Sequence, residues 1–596
     1  MRTSRASPAW RRADDLQRNT TLPSRLHPLR EPITKPQRRL TRLANPCIFA
    51  ALGLGVNVLT GGPTHPIPPT DRSASIAPPR AGLVVALGAV IGLAACGSDG
   101  PGRTLEYYFT YDPRSLDPAY STDVPTGEVD ALLFDNLTQF DVEGRLVPGL
   151  AKSWEVDPSG SRYTFHLRTN ARFHDGRPVR AADVEASYLR ALSPKSLGGR
   201  PWPLYPIQGA RAFNKGEAPA VGGMVVEDDS TMVFTLEEPL NIFPKLVAMP
   251  ATGIVPTPTG DMFDQSPIGS GPWRFVEWSH DDYITLARNA DYWGQVPRAD
   301  SIRIRIIPEP LTQAAEYERG GLTVVEIPFG ETRRWEARRH AELKRRPTIR
   351  DLYIAINTSR GPLSDVRVRQ ALNLAIDVPT LLNSVMAGRG LQAHGVIPPG
   401  ITGYDSARAP YPYDPDSARK LLAAAGHANG LTLRFWRSQR PEYARIAQTV
   451  QQSLAAVGIQ VEIIQRDASS ARAAVRKGEA DLFLTDWYAD YPDPENFTYP
   501  LFNSRNAGTG GNYAFLKDPV IDSLTVLIRT TVDEAEKARV ARETDARIFA
   551  LAPWIFLWHP VDLWALNPRF EGWDIPAIFN GQRWQDAHVV GEDAKP

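Results

Sequence analysis

"EYARIAQTVQQSLAAVGIQVEII", Glu442 to Ile464, changes its period partway along. Its first part is an amphipathic helix that Gly458 stops, and "IQVEII" then alternates apolar and polar as a half-buried strand does. A short helix follows, and "GEADLFLTDW" reads as another strand. Helix and strand alternate, which predicts α/β lobes with sheet cores. Working outward, "SRYTFHLR", Ser161 to Arg168, is a half-buried strand, "RFHDGRPV" turns at Asp175-Gly176, and "RAADVEASYLRAL" is a helix. In "VRVRQALNLAIDVPTLLNSVMAG", Val368, Ala371, Leu372, Ala375 and Ile376 share one helical face. Asp377 is placed to cap a second helix, which Gly388 ends.

A chain of 596 residues exceeds what one hydrophobic core supports, so two or more lobes are expected. Its formal net charge of zero hides an asymmetry. Residues 1–95 carry 13 Lys+Arg against 4 Asp+Glu, which leaves 54 against 63 in the rest, a net charge of −9. A mildly acidic body argues against a nucleic-acid partner, which demands a basic face.

The basic front segment reads as a targeting region. Arg80 precedes "AGLVVALGAVIGLAAC", an apolar run ending Leu93-Ala94-Ala95-Cys96. This resembles the lipobox of bacterial lipoproteins, in which the cysteine thiol is lipidated and becomes the new N-terminus. A short buried helix is the alternative, but Gly82, Gly88 and Gly92 suit it poorly. Residues 80–95 are thus expected to be a signal peptide, Cys96 the lipidation site and residues 96–102 a tether. Cys47 lies upstream, so a processed chain keeps one cysteine and forms no internal disulfide. Residues 1–79, rich in Arg, Pro and Ser, read as a non-native or disordered extension, with the true translation start within residues 1–84.

Several motifs have bland readings. Ser417 to Lys420, "SARK", matches the Ser-x-x-Lys of penicillin-interacting enzymes, but Asp414-Pro415 before it makes a capped surface helix the better reading. "GSGPW", Gly269 to Trp273, lacks the Lys-Ser/Thr of a phosphate loop and reads as a turn between strands. The histidines are scattered without metal-ligand spacing, so no metal site is expected.

"LFLTDWYADYPDPENF", Leu482 to Phe497, is less easily explained. A strand ends in four acids, Asp486, Asp490, Asp493 and Glu495, among aromatics and prolines. Asp493-Pro494 has the form of a helix N-cap with proline at the first helical position. Asp486 and Asp490 could pair as catalytic carboxylates, although their spacing does not establish it. Alternatively Asp490, flanked by Trp487, Tyr488 and Tyr491, forms the wall of an aromatic pocket for an ammonium group.

"SLDPAYSTDVPTGEV", "VPGLAKSWEVDPSGSRYTFHLRTNARFHDGRPVRAADVEASY", "GSGPWRFVEW", "ARNADYWG", "DVRVRQALNLAID", "YPYDPDSARKLLAAAG" and "WYADYPDPENF" occur in this order. Together they resemble, across nearly all of residues 103–590, the family 5 extracellular solute-binding proteins of ABC importers, and the oligopeptide-binding members most. The resemblance implies an α/β, two-lobed periplasmic-binding-protein fold (class II, three-domain peptide-binding type) with mixed sheets and a hinge of two crossing strands. On it, lobe I comprises 103–133, 256–355 and 565–596, an inserted extra domain 134–255, and lobe II 356–564. The crossing strands are expected near "LYIAIN" and "HPVDLW".

In peptide-binding members the ligand lies between the lobes as an added strand. By motif match its backbone partners are Asp486, Trp487 and Tyr488 on one lobe and Thr122 to Pro125, including Val124, on the other. Asp490 matches the aspartate that pairs with the peptide α-ammonium. The resemblance implies a short peptide ligand, an ABC permease in the inner membrane as partner, a lipid anchor, a monomer, no nucleic acid, no cofactor and no catalysis. The location it implies is periplasmic or cell-surface, as a membrane-anchored lipoprotein. Binding of a nickel chelate, opine or sugar is the alternative within the family, and a hydrolase using Asp486 and Asp490 the alternative outside it.

Overall fold

In the computed structural model, residues 104–590 are described apart from 197, 261–262 and 509. The expected signal peptide, tether and lipidation site at Cys96 lie outside the described residues.

The helix that opens Glu442–Ile464 runs Pro441–Ala455 and buries Tyr443, Ile446, Ala447, Val450 and Leu454 on one stripe. Gly458, at φ +91°, supplies the left-handed turn that a side chain would resist, and strand Ile459–Gln465 follows. That strand pairs in parallel with Leu431–Arg437, the topology expected when a helix crosses back over a sheet. Helix Ala468–Arg476, capped by Asp467, then leads into strand Leu482–Tyr488.

The largest sheet is organised around one strand, Trp554–Leu566, 13 residues long. Its first half pairs antiparallel with Arg350–Ile356 and Gly390–Gln392, and its second half with Leu343–Pro347 and Val324–Glu326. Strand Arg350–Ile356 continues into Leu482–Tyr488, Leu431–Arg437 and Ile459–Gln465, so the sheet is mixed. The expected crossing strands are therefore Leu343–Ile356, interrupted at residues 348–349, and Trp554–Leu566.

Two four-stranded sheets and two short two-stranded ones complete the two-lobed α/β fold among the described residues. Thr104–Phe109, Ser301–Ile306, Tyr283–Arg288 and Trp273–Ser279 form one, with Thr104–Phe109 the parallel member. Ala151–Val156, Arg162–Leu167, Thr231–Thr235 and Met224–Asp228 form an antiparallel sheet within the segment read as inserted. Helix Val366–Leu374 buries the expected face, and Asp377 caps Val378–Met386 by accepting from the Thr380 amide at 3.0 Å. One detail differs. Ala387 and Gly388 are both left-handed, at φ +50° and +75°, so the turn out of the helix starts one residue before the expected glycine and runs through it. Ser417 accepts its place in the capped helix Pro415–Ala424, with its hydroxyl donating to Asp414 at 2.7 Å.

"GSGPW" is not a free turn. The Gly271 amide donates to the Leu133 carbonyl at 2.9 Å, and a Cβ on Gly269 would sit 1.9 Å from that same oxygen. These glycines let the backbone press against the C-terminal end of helix Val124–Leu133 before strand Trp273–Ser279 begins. Gly269→Ala should accordingly cost about 1–3 kcal/mol by overpacking, read as a lower urea midpoint, whereas Gly330→Ala, with open space around it, should leave the midpoint within error.

Candidate functional site

Each acid of Leu482–Phe497 already has a partner. Asp486 accepts from Arg350 Nε at 3.0 Å and from the Tyr443 hydroxyl at 2.9 Å. Burial pushes its carboxyl up, but Arg350, Arg440 and the Tyr443 hydrogen bond outweigh that and hold it below the usual aspartate value. Asp490 pairs with Arg200, 2.5 Å away in the loop after helix Ala181–Ala191. Asp493 caps helix Pro494–Phe502, as its proline context predicts, and its fully buried carboxylate also meets Lys245 at 2.6 Å and Lys537. Glu495 accepts from the Tyr491 hydroxyl and pairs with Arg529 at 3.2 Å. Asp486 and Asp490 thus stand in separate ion pairs. Asp486, held ionised, is a poor general acid, and each of the two carboxylates is tied to its own arginine.

The backbone of the same strand is less fully engaged. On one side Leu482–Tyr488 pairs along its whole length, from Leu482↔Ile356 to Tyr488↔Arg350. On the other, Leu431–Arg437 reaches only Leu482 and Phe483. Residues 485–488 therefore present one edge without a strand neighbour among the described residues. Trp487 is fixed beside that edge by its indole N–H, which donates to Asn496 at 3.1 Å.

A cavity of about 360 Å3 is lined by Tyr488, the last residue of this strand. Tyr488 and Val124, two of the five expected ligand contacts, line it, while Asp486, Trp487 and Asp490 do not. Its walls follow from local periodicity. Asp123 caps helix Val124–Leu133 by accepting from the Thr126 amide at 3.0 Å, and the i, i+4, i+8 residues Val124, Glu128 and Leu132 then face the cavity. Alternate residues come from strands: Tyr107 and Phe109, Ile302 and Ile304, Asp562 and Trp564. The C-terminal segment adds Trp573, Phe579 and Trp584. The segment Thr122 to Pro125, expected as a backbone partner, is a helix cap and first turn.

Residue-level reading missed the carboxylates of this cavity. Among the described residues the one side-chain hydrogen bond of Glu128 is from the Tyr107 hydroxyl, which donates to it at 3.3 Å; burial pushes its carboxyl up to about 8. Asp562 makes no side-chain hydrogen bond or ion pair among the described residues, and burial followed by the nearby Glu326 charge pushes it up too. Glu326 is balanced by Arg389, 3.2 Å away and wholly buried. The signal for Glu128 was available in an acid four residues after Val124 on a capped helix. Nothing in the sequence marks Asp562, because an acid in a strand is ordinarily on its solvent face.

The raised Glu128 carboxyl has a stability consequence. The neutral form suits the folded protein, so its contribution is fully present below the ordinary glutamate value of 4.5 and is lost as pH rises through about 8. The ligand-free protein should therefore lose more stability between pH 5 and pH 8.5 than Glu128→Gln does, measured as the change in urea midpoint. Parallel profiles for the two proteins would contradict this.

Comparison with known proteins identifies the family and the fold. The family model described as "Bacterial extracellular solute-binding proteins, family 5 Middle" matches residues 145–509. The glutathione-binding protein GsiB of Pectobacterium atrosepticum is 32% identical over 456 residues, covering 74% of this chain and 86% of that protein. The structure of HbpA2 from Haemophilus parasuis superposes with a TM-score of 0.73 at 25% identity, over 82% of this chain and 100% of that one. DppA from Helicobacter pylori, described as an ABC transporter-associated periplasmic binding protein in complex with the peptide STSA, gives a TM-score of 0.67 at 25% identity, over 82% and 98%.

Proposed function

The chain belongs to the bacterial family 5 extracellular solute-binding proteins, and from that premise we propose that it captures short peptides between its lobes and hands them to the permease of an ABC importer. The observation that carries this is the unpaired edge of residues 485–488 in a strand whose last residue, Tyr488, lines a cavity. An extended peptide fits such an edge, because backbone hydrogen bonds hold it whatever its sequence and a pocket receives one side chain. Binding is a shift toward a closed arrangement by whatever extra contacts the ligand makes there. In this reading residues 103–133, 256–355 and 565–596 form lobe I, 134–255 the inserted domain and 356–564 lobe II. Glutathione, itself a tripeptide, is what the 32% identical relatives are named for binding.

Asp490 takes the ligand's α-ammonium in this proposal, and Arg200 holds its place until then. Exchange of one cation for another keeps a carboxylate that is only 29% exposed from ever standing alone. Calorimetry with trialanine and its N-acetyl form, on the parent protein and Asp490→Asn, tests both steps. Acetylation should weaken binding to the parent by about 2–5 kcal/mol and have far less effect on the variant. Failure of every peptide to bind, together with binding of a nickel chelate, an opine or a sugar, would replace the peptide reading.

The protein works as a monomer in the periplasm or at the cell surface, tethered through lipidated Cys96, and uses no cofactor. Stable anchoring takes more than one acyl chain, so Cys96→Ser should abolish incorporation of labelled fatty acid and release the protein from membranes. Undiminished labelling of the variant would refute the assignment.

A further inference from the structure

The charges around the cavity do not balance. Arg350 is engaged by Asp486, and Glu326 by Arg389. Glu128 and Asp562 remain: no cation among the described residues is within ion-pair distance of either, and Arg389 and Arg350, which draw the Asp562 carboxyl partly back down, are already committed to Glu326 and Asp486. Both sit among aromatic side chains, with Tyr107, Trp564, Trp573 and Trp584 on the same walls. A pair of carboxylates in such a place is unfavourable for the empty protein and favourable for a cation that enters, which gains both charges and the faces of the rings.

We infer that this cavity is a specificity pocket for a positively charged group, and that the preferred ligand is a short peptide carrying a lysine or arginine side chain. The inference rests on the peptide reading above and specifies which peptides. A volume of about 360 Å3 lies at the lower end of the range of about 300–1,000 Å3 for small-ligand pockets, which suits one long side chain and not an oligopeptide. The aromatic walls suit the apolar stem of a lysine or arginine side chain as well as its charged end. The same charge balance disfavours ligands with an excess of carboxylate, and glutathione has two carboxylates against one ammonium.

Calorimetry at pH 7.5 on the parent protein, with Ala-Lys-Ala, Ala-Ala-Ala, Ala-Glu-Ala, glutathione and 1,5-diaminopentane as probes, tests this. Ala-Lys-Ala should bind about tenfold or more tightly than Ala-Ala-Ala, with Ala-Glu-Ala and glutathione weaker still. Its binding should also release protons, seen as an enthalpy that changes with the ionisation heat of the buffer, because a cation drives Glu128 and Asp562 to ionise. Ala-Ala-Ala should show far less of this. The proton release needs no variant, and the double variant Glu128→Gln, Asp562→Asn should then abolish both it and the lysine preference. Equal binding of the three alanine-flanked peptides, or a preference for Ala-Glu-Ala or glutathione, overturns the cation pocket and leaves peptide capture standing. Binding of 1,5-diaminopentane with no peptide binding at all overturns peptide capture and leaves the cation pocket standing.

Discussion

The register of strand Trp554–Leu566 is the constraint from which the site follows. At about 3.3 Å per residue its 13 residues run roughly 40 Å, hydrogen-bonded at one end to Arg350–Ile356 and at the other to Leu343–Pro347. Side chains alternate along it, so Asp562 and Trp564 face the cavity while Leu563 and Ala565 are fully buried on the opposite side. A slip of one residue would put Leu563 into the cavity and an aspartate into an apolar core. Two sets of neighbours fix the register at once, which makes that slip prohibitive.

Around this frame, buried charge is paired at several points. Asp493 is the extreme case, a fully buried carboxylate between two lysines, one on the short helix Phe243–Leu246 and the other on Glu534–Leu551. Removing one member of such a group strands the others in a poorly solvating interior. The Arg350–Asp486 pair does the same work at the edge of the cavity, and Arg583 with Asp135 does it beneath the C-terminal segment that supplies the aromatic wall. Against that background Glu128 and Asp562 are conspicuous: they lie in the same protein and lack the partner that every acid of the neighbouring loop has found.

The same pairings tie the segment read as inserted to the loop that follows strand Leu482–Tyr488. Arg200 reaches Asp490, and Lys245 reaches the Pro492 carbonyl at 3.0 Å as well as Asp493; further along the chain, the Asn241 backbone N–H donates to the Arg529 carbonyl at 2.8 Å, on helix Pro519–Thr530. Of these, Arg200–Asp490 is the one that retains partial exposure on both sides, 25% and 29%, and so the one a ligand can exchange with at least cost.

The sequence by itself determined the local structure and the family. Period 3.6 placed Val368, Ala371, Leu372, Ala375 and Ile376 on a buried face, and proline after Asp493 marked a helix cap, because these depend on residues within a turn or two of one another. It also singled out Val124 and Tyr488, both at the cavity, through motifs that travel with the fold. Which acid is neutralised by which base was beyond its reach. Asp490 and Arg200 are 290 positions apart, Asp493 and Lys245 are 248 apart, and Glu128 shares a cavity with Asp562 only because one strand spans both halves of a sheet. Periodicity reports a side chain's direction from its own element. The charge it meets there is set by what the tertiary fold brings opposite, and only the three-dimensional structure decides that.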